Sequence, residues 1–463
     1  MTAGPVDDAI EPELVEGQDG HEGPPGKAAR TSSAGRGYAV TLAGSVGVLV
    51  LNLATGVTTA RLLSPDGRGA VGAISGWVMM IGFLGGLGYR EGLSYVQSRD
   101  HRRGGEALTW SIVSSAILAL LSIGVALTLI PSGFSAQSDE LVRYAQLSMV
   151  WLLPFIAYNT FGSLLGARHH FVALTVQRVA QPLVYAAALG ALWATGHVTV
   201  GWVLVANVAS FALTAALALA TLHHESGFGP LHKETGRKAL NYGLRAHGNT
   251  LGQLATVRLD VLLMPSVLAV GDIGLYVVAV SAASMVSGVF GSVQIVIFPL
   301  AARLPRAEAM VVIERSIRAV LALALAVTGV LAVIAPLLVT VLYGHEFAGS
   351  VTPLRVLLPG MAAWSAAAVV SGGLKALDRP QDASVVQLGG ALLTAAGLAL
   401  TLRPFGILGA AATSSVVYCT VFLLLITMLV RRSDLQFRTV LDLRQSYGDI
   451  RWLLSDITGA KKG

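Results

Sequence analysis

The stretch Ala107-Leu-Thr-Trp-Ser-Ile-Val-Ser-Ser-Ala-Ile-Leu-Ala-Leu-Leu-Ser-Ile-Gly-Val-Ala-Leu-Thr-Leu-Ile130 contains no charged residue. At about 1.5 Å per helical residue it is long enough to cross a bilayer core of roughly 30 Å. A transmembrane barrel strand needs only about ten residues, so a helix is the form that fits. Comparable runs fill the chain on both sides. They lie at approximately Tyr38–Leu62, Gly69–Leu93, Leu147–Leu165, Phe171–Ala194 and Val198–Leu222. A second set follows at Ala239–Val267, Ile273–Ala301, Val312–Tyr343, Val356–Leu374, Ala383–Leu402 and Ile407–Val430. The expected fold is an all-α integral membrane protein with twelve spans.

Composition agrees. Of 463 residues 54% are hydrophobic and only 13% charged, with a mean hydropathy of +0.67. Soluble domains carry about twice that charge density. The 52 glycines suit close helix approach in a bilayer. A net charge of +6 could indicate nucleic-acid binding, but the cations sit in short loops between apolar runs and set orientation instead. Arg99, Arg102 and Arg103 follow the second span, Arg168 the fourth, and Lys233, Arg237 and Lys238 the sixth. Arg303, Arg306 and Arg315 follow the eighth, Lys375 and Arg379 the tenth, and Arg431 and Arg432 the twelfth. Both termini are therefore expected in the cytoplasm, and the arginine-rich, alanine-rich composition is that of a GC-rich bacterial genome. The single cysteine, Cys419, can form no intrachain disulfide.

The expected organisation is a disordered acidic tail over 1–36, a six-helix bundle over 37–222, a cytoplasmic linker over 223–238 and a second bundle over 239–432. Residues 433–463 form a tail that is either solvated or an amphipathic helix on the cytoplasmic face. Ser163–Gln177 aligns without gaps to Gly373–Gln387, and each segment joins a fourth span to a fifth. Six spans per half place the two halves in the same direction in the membrane, a parallel repeat.

The seventh span carries the candidate chemistry. At about 100° per residue, Asn241, Arg245, Asn249, Gln253, Thr256 and Asp260 fall within an arc of about 120°. Facing lipid, each central charge would cost about 2.5–3.5 kcal/mol, so the stripe is expected to face protein or a water-filled cavity. Small polar groups hydrogen-bonding between helices are the plainer reading of Asn249 or Thr256 taken singly. Arg258 points to nearly the opposite side and lines a second surface or snorkels. Thr41, Ser45, Asn52, Thr55 and Thr59 make a neutral stripe on the first span. Gln177, Arg178 and Gln181 open the fifth span, as interfacial residues or as lining of a cleft mouth. Asp260 is the deep carboxylate, read either as a coupling or gating residue or as a structural acceptor for Tyr276 or Ser281. No glycine-rich nucleotide loop and no metal-ligand cluster is present, and no cofactor or catalytic residue is expected.

The run Leu240-Asn-Tyr-Gly-Leu-Arg-Ala-His-Gly-Asn-Thr-Leu-Gly-Gln-Leu, leading to Arg258-Leu-Asp260 and Gly271-Asp-Ile-Gly-Leu-Tyr276, resembles the centre of polysaccharide flippases. These belong to the multidrug/oligosaccharidyl-lipid/polysaccharide superfamily. Leu354-Arg-Val-Leu-Leu-Pro-Gly360, Leu374-Lys-Ala-Leu-Asp-Arg-Pro380 and Gly406-Ile-Leu-Gly-Ala-Ala411 resemble its later spans. The resemblance covers roughly Tyr38 to Arg432. It implies two six-helix bundles around a V-shaped cleft of alternating access, and a lipid-linked glycan, usually an isoprenoid diphosphate oligosaccharide, as cargo. Membrane lipids, and a polysaccharide polymerase or glycosyltransferases, would then be its partners, and a monomer its working form. Arg245, Asn249, Gln253, Thr256, Asn52, Arg178 and Gln181 are the candidate substrate contacts, with Asp260 and Arg258 as coupling or gating residues. A cation-coupled multidrug exporter and a lipid II-type flippase are alternatives on the same fold. A scaffold would need no polar stripes, and a glycosyltransferase would need outer acids.

Overall fold

A computed structural model describes residues 27–291, 293, 301, 303–377, 379–431, 437–440, 442 and 446–457. Two of its helices are hairpins. The first, α1 (Lys27–Gly85), leaves helical geometry at Ser64, ahead of Pro65. Asn52 and Ser75 line one cavity, although a straight helix would hold them about 35 Å apart. The chain therefore reverses at Ser64, and α1 contains the first two spans. A short α2 (Tyr89–Arg99) continues the second span. Then come α3 (Gly104–Gly133), α4 (Asp139–Ser148), α5 (Leu152–Ala167), α6 (Phe171–Ala194) and α7 (Val200–Ser226).

The second half holds α8 (Lys233–Leu263), α9 (Val270–Gly291), α10 (Arg306–Leu342), α11 (Val351–Ala376) and α12 (Pro380–Arg431). The last of these breaks at Gly406, where φ is 56°. Thr401 and Thr413 hydroxyls meet across the break at 2.8 Å, so α12 is also a hairpin. Nine helical stretches among the described residues are long and apolar enough to span a membrane. Two of them are these hairpins, and α8, whose polar residues leave it less apolar than the nine, supplies the remaining span. The expected twelve are all accounted for.

The ends differ from expectation. Helix begins at Lys27, inside the stretch expected to be a disordered tail, because Lys27-Ala-Ala-Arg30 joins the first span without a breaker. Residues 1–26 lie outside the described part. At the other end α13 (Phe437–Val440) and α14 (Ser446–Ile457) follow. Asp449 of α14 is buried against α10, accepting from Arg318 at 2.7 Å, and Arg318 also binds Glu314 at 2.6 Å. This helix is held by ion pairs to protein. The two repeat-related connections close alike: His170 N–H bonds the Leu165 carbonyl and Arg379 N–H the Leu374 carbonyl, five residues back in each. The register is one residue away from the sequence alignment.

Between the halves, backbone meets backbone at two levels. A methyl group on Gly69 would overlap the Val270 carbonyl, and one on Gly274 the Pro65 carbonyl. Toward the arginine-rich end, Gly92 lies against the Ala239 carbonyl and Gly243 against that of Gly88. Only glycine permits such approach without displacing a helix. The segment before α8 is also tied to the first half. Trp110 donates to the His232 carbonyl at 3.0 Å, while Thr235 donates to Glu106 at 2.6 Å and accepts from Arg103 at 3.1 Å.

Gly92→Leu and Gly69→Val should each destabilise the protein by about 1–3 kcal/mol, the usual cost of overpacking. The check is a lower thermal midpoint in detergent for each, with Gly47→Ala, where space is open, unchanged.

Candidate functional site

Between the two seams lies a cavity of about 450 Å3. Its polar lining comes from four spans: Asn52 from the first, Arg68 and Ser75 from the second, Arg258 from the seventh, and Ser281 and Ser284 from the eighth. Ser281 and Ser284 donate to the Val277 and Val280 carbonyls, at 2.7 and 2.6 Å. Their protons are used on the helix, which leaves oxygen lone pairs for the cavity. Gly72 and Gly76 remove bulk on the second span at the points where Val277 and Val261 pack.

Arg68 stands one turn beyond the Ser64 reversal, and its guanidinium comes within 3.6 Å of where a Cβ on Gly56 would stand. Its Nε is buried and has no hydrogen-bond acceptor among the described residues. Arg258 of α8 lines the same cavity. No carboxylate is among the described lining residues. Two guanidinium groups, an amide and several hydroxyls share this lining, a set whose chemistry suits an anion bearing several acceptor oxygens.

The seventh-span stripe divides. Asn241, Arg245 and Gln253 are exposed, and neither Arg245 nor Gln253 lines this cavity. The side chain of Asn249 lies outside the described residues. Thr256 and Asp260 face the second half rather than the cavity, so for these two the protein-facing reading of the stripe holds and Thr256 is not among the residues lining this cavity. Thr256 donates to the Gly252 carbonyl at 2.8 Å and approaches that of Gln387 at 3.3 Å. Asp260 is buried and accepts from the Tyr276 hydroxyl, from Val261 N–H at 2.7 Å and from Ser414 at 3.4 Å. The cavity touches the other side of α8, through Arg258 and Val261.

The other candidates also separate. Asn52 is exposed on the cavity, whereas Thr55 and Thr59 are buried and Thr59 lies 3.4 Å from the Tyr185 hydroxyl of α6. Gln181 donates to Ser210 of α7 at 3.0 Å. Arg178 is exposed at the arginine-rich end, far from Arg258 along the bundle. Arg68 is the residue that reasoning from the sequence missed. Its signal was a cation four residues past a Ser-Pro reversal, on the side whose loops are otherwise poor in arginine.

Twelve spans in two bundles around a polar cavity make a multi-pass membrane fold, and solved transporters share it. The lipid II flippase MurJ, in an inward closed conformation, superposes with a TM-score of 0.74 at 12% identity, over 91% of this chain and 93% of that one. An inward-facing multidrug resistance MATE family transporter gives 0.66 at 14%, over 92% and 99%. A MOP superfamily transporter from Pyrococcus furiosus Vc1, described as having a binding pocket of reverse polarity, gives 0.56 at 13%, over 92% and 95%. No curated protein matches in sequence. The model of the polysaccharide biosynthesis protein family matches residues 34–305, more than half of the chain, and the chain belongs to that family.

Tyr276→Phe and Asp260→Asn should each lower stability by about 1–3 kcal/mol, as loss of a buried hydrogen bond to a carboxyl group does. The expected readout is a lower thermal midpoint with ligand affinity at the cavity unchanged. A loss of affinity at unchanged stability would instead place Asp260 in the binding machinery.

Proposed function

We propose that the chain is a flippase. It moves a lipid-linked oligosaccharide or polysaccharide precursor across the bacterial cytoplasmic membrane, for synthesis of a cell-surface polysaccharide. The observation that carries this reading is that Arg68 and Arg258 both line one cavity, which has no carboxylate among its described lining residues. An isoprenoid diphosphate carries charge and acceptor oxygens on one group, which two guanidinium forks match. Asn52 and the serines offer hydrogen bonds to sugar hydroxyls, and the isoprenoid tail stays in lipid.

Membership of the polysaccharide biosynthesis family supports a glycan as cargo. Orientation follows the loop arginines, with both termini cytoplasmic. The seams supply the two gates of alternating access: parting at Gly92 and Gly243 opens the cavity inward, parting at Gly69 and Gly274 outward. A drug exporter coupled to cations would need an acid facing its substrate. Here Asp260 is turned away, and the arginines repel an organic cation. Arg245, exposed near the inner end of α8, contributes a weaker attraction on the approach path.

Arg68→Ala and Arg258→Ala should each weaken binding of an isoprenyl diphosphate sugar by about tenfold or more, the worth of a charge-assisted hydrogen bond. Lysine at either position should restore part of it. Binding by purified protein in nanodiscs checks this. Full affinity in both alanine variants, with normal folding, would refute a diphosphate site.

A further inference from the structure

Away from the central cavity, α2, α5 and α6 line another of about 550 Å3 at the arginine-rich end. Arg90 and Ser94 of α2, Tyr158 and Asn159 of α5, and Gln177 and Arg178 of α6 form its polar wall. The wall is held by its own bonds. Arg90 binds Glu91 at 2.7 Å and Asn159 at 3.2 Å, and its carbonyl accepts from Ser163 at 3.1 Å. Gln177 is buried and donates to the Tyr158 carbonyl at 2.9 Å.

Ser98, His169 and Arg178 are exposed, so this end of the niche reaches solvent. Glu91 offsets Arg90, which leaves Arg178 as the uncompensated cation among the described lining residues. Amides, hydroxyls and one tyrosine ring around a single net positive charge suit a sugar that bears a phosphate. The volume lies within the roughly 300–1,000 Å3 typical of small-molecule sites. The niche also has a direction. Arg90, Glu91 and Asn159 are shared with a narrow cavity of about 20 Å3 that continues to His247 and Thr250 of α8, at the seam between the halves. Met79 of the central cavity lies in α1, before the turn at Leu87 and Gly88 that leads into α2 and Arg90.

We propose that this niche is a loading site for the glycosyl phosphate end of the lipid-linked substrate, a proposal that rests on the flippase reading above. The headgroup is held by Arg178 and the Arg90–Asn159–Gln177 wall before the seam at Gly92 parts and the diphosphate passes to Arg68 and Arg258.

The test uses full-length protein in nanodiscs, in a Cys419→Ala background, with a benzophenone label on Ser98→Cys for the niche or on Ser281→Cys for the central cavity. The probe is a short-chain isoprenyl diphosphate carrying one N-acetylhexosamine. Ser98 labelling of the probe should fall about tenfold with Arg178→Glu, survive Arg178→Lys, and be unaffected by Arg258→Ala. Labelling at Ser281 without labelling at Ser98, or Ser98 labelling indifferent to Arg178→Glu, would overturn the loading site and leave the flippase reading standing. Competition by inorganic phosphate or phosphatidylglycerol vesicles as strong as by unlabelled probe would also overturn it, by showing a site for phosphate alone. No labelling at either position would overturn both.

Discussion

Everything in this molecule depends on how closely the two halves can approach. Backbone lies on backbone at Gly69 and Gly274 near one end, and at Gly92 and Gly243 near the other. Lipid gives helices no hydrophobic reason to associate, so close van der Waals contact and shape carry the association. Side chains at those four positions would overlap backbone of the other half and force the halves apart. With glycine there, the halves meet at both levels, and Arg68 and Arg258 line the space between those levels. A contact made of backbone and small groups is also one that can part without leaving large apolar side chains in water.

The bilayer made most of the fold legible. Length and hydropathy located the spans, because lipid leaves the backbone no partner outside a helix. Loop arginines marked one end, and the even number of spans per half fixed their relative direction. The hairpin turns at Ser64 and Gly406 were legible only as short gaps between apolar runs, and their tightness came from the structure.

The site was less legible, for a definite reason. Helical periodicity relates Arg258 to Asp260 around one axis, but the rotation of that axis against its neighbours is a tertiary property. On α8 the rotation is set by Gly243 against Gly88 and by Gly252 against the backbone of Gln387. That phase turns Thr256 and Asp260 into the second half and Arg258 into the cavity. A polar stripe therefore marked a helix that avoids lipid, without saying which of its faces meets ligand. Arg68 was missed because it sits beside a turn, where a lone arginine reads as a loop charge. Only the reversal at Ser64 directs it back into the protein.

The attachments of α8 bear on how the protein is assembled. Its polar residues, His247, Asn249 and Gln253 as well as Arg258 and Asp260, keep it out of the stretches apolar enough to span a membrane by themselves, and a central arginine or aspartate costs about 2.5–3.5 kcal/mol on insertion scales. During synthesis the first six spans emerge before it. They present the Arg103, Glu106 and Trp110 contacts to its leading residues and the glycine groove of Gly88 and Gly92 to its apolar side. The seventh span can thus be received by a finished protein surface while its remaining polar groups wait for Tyr276 and Ser414. Biogenesis then runs in one direction, with the earlier half acting as the template on which the later half is built.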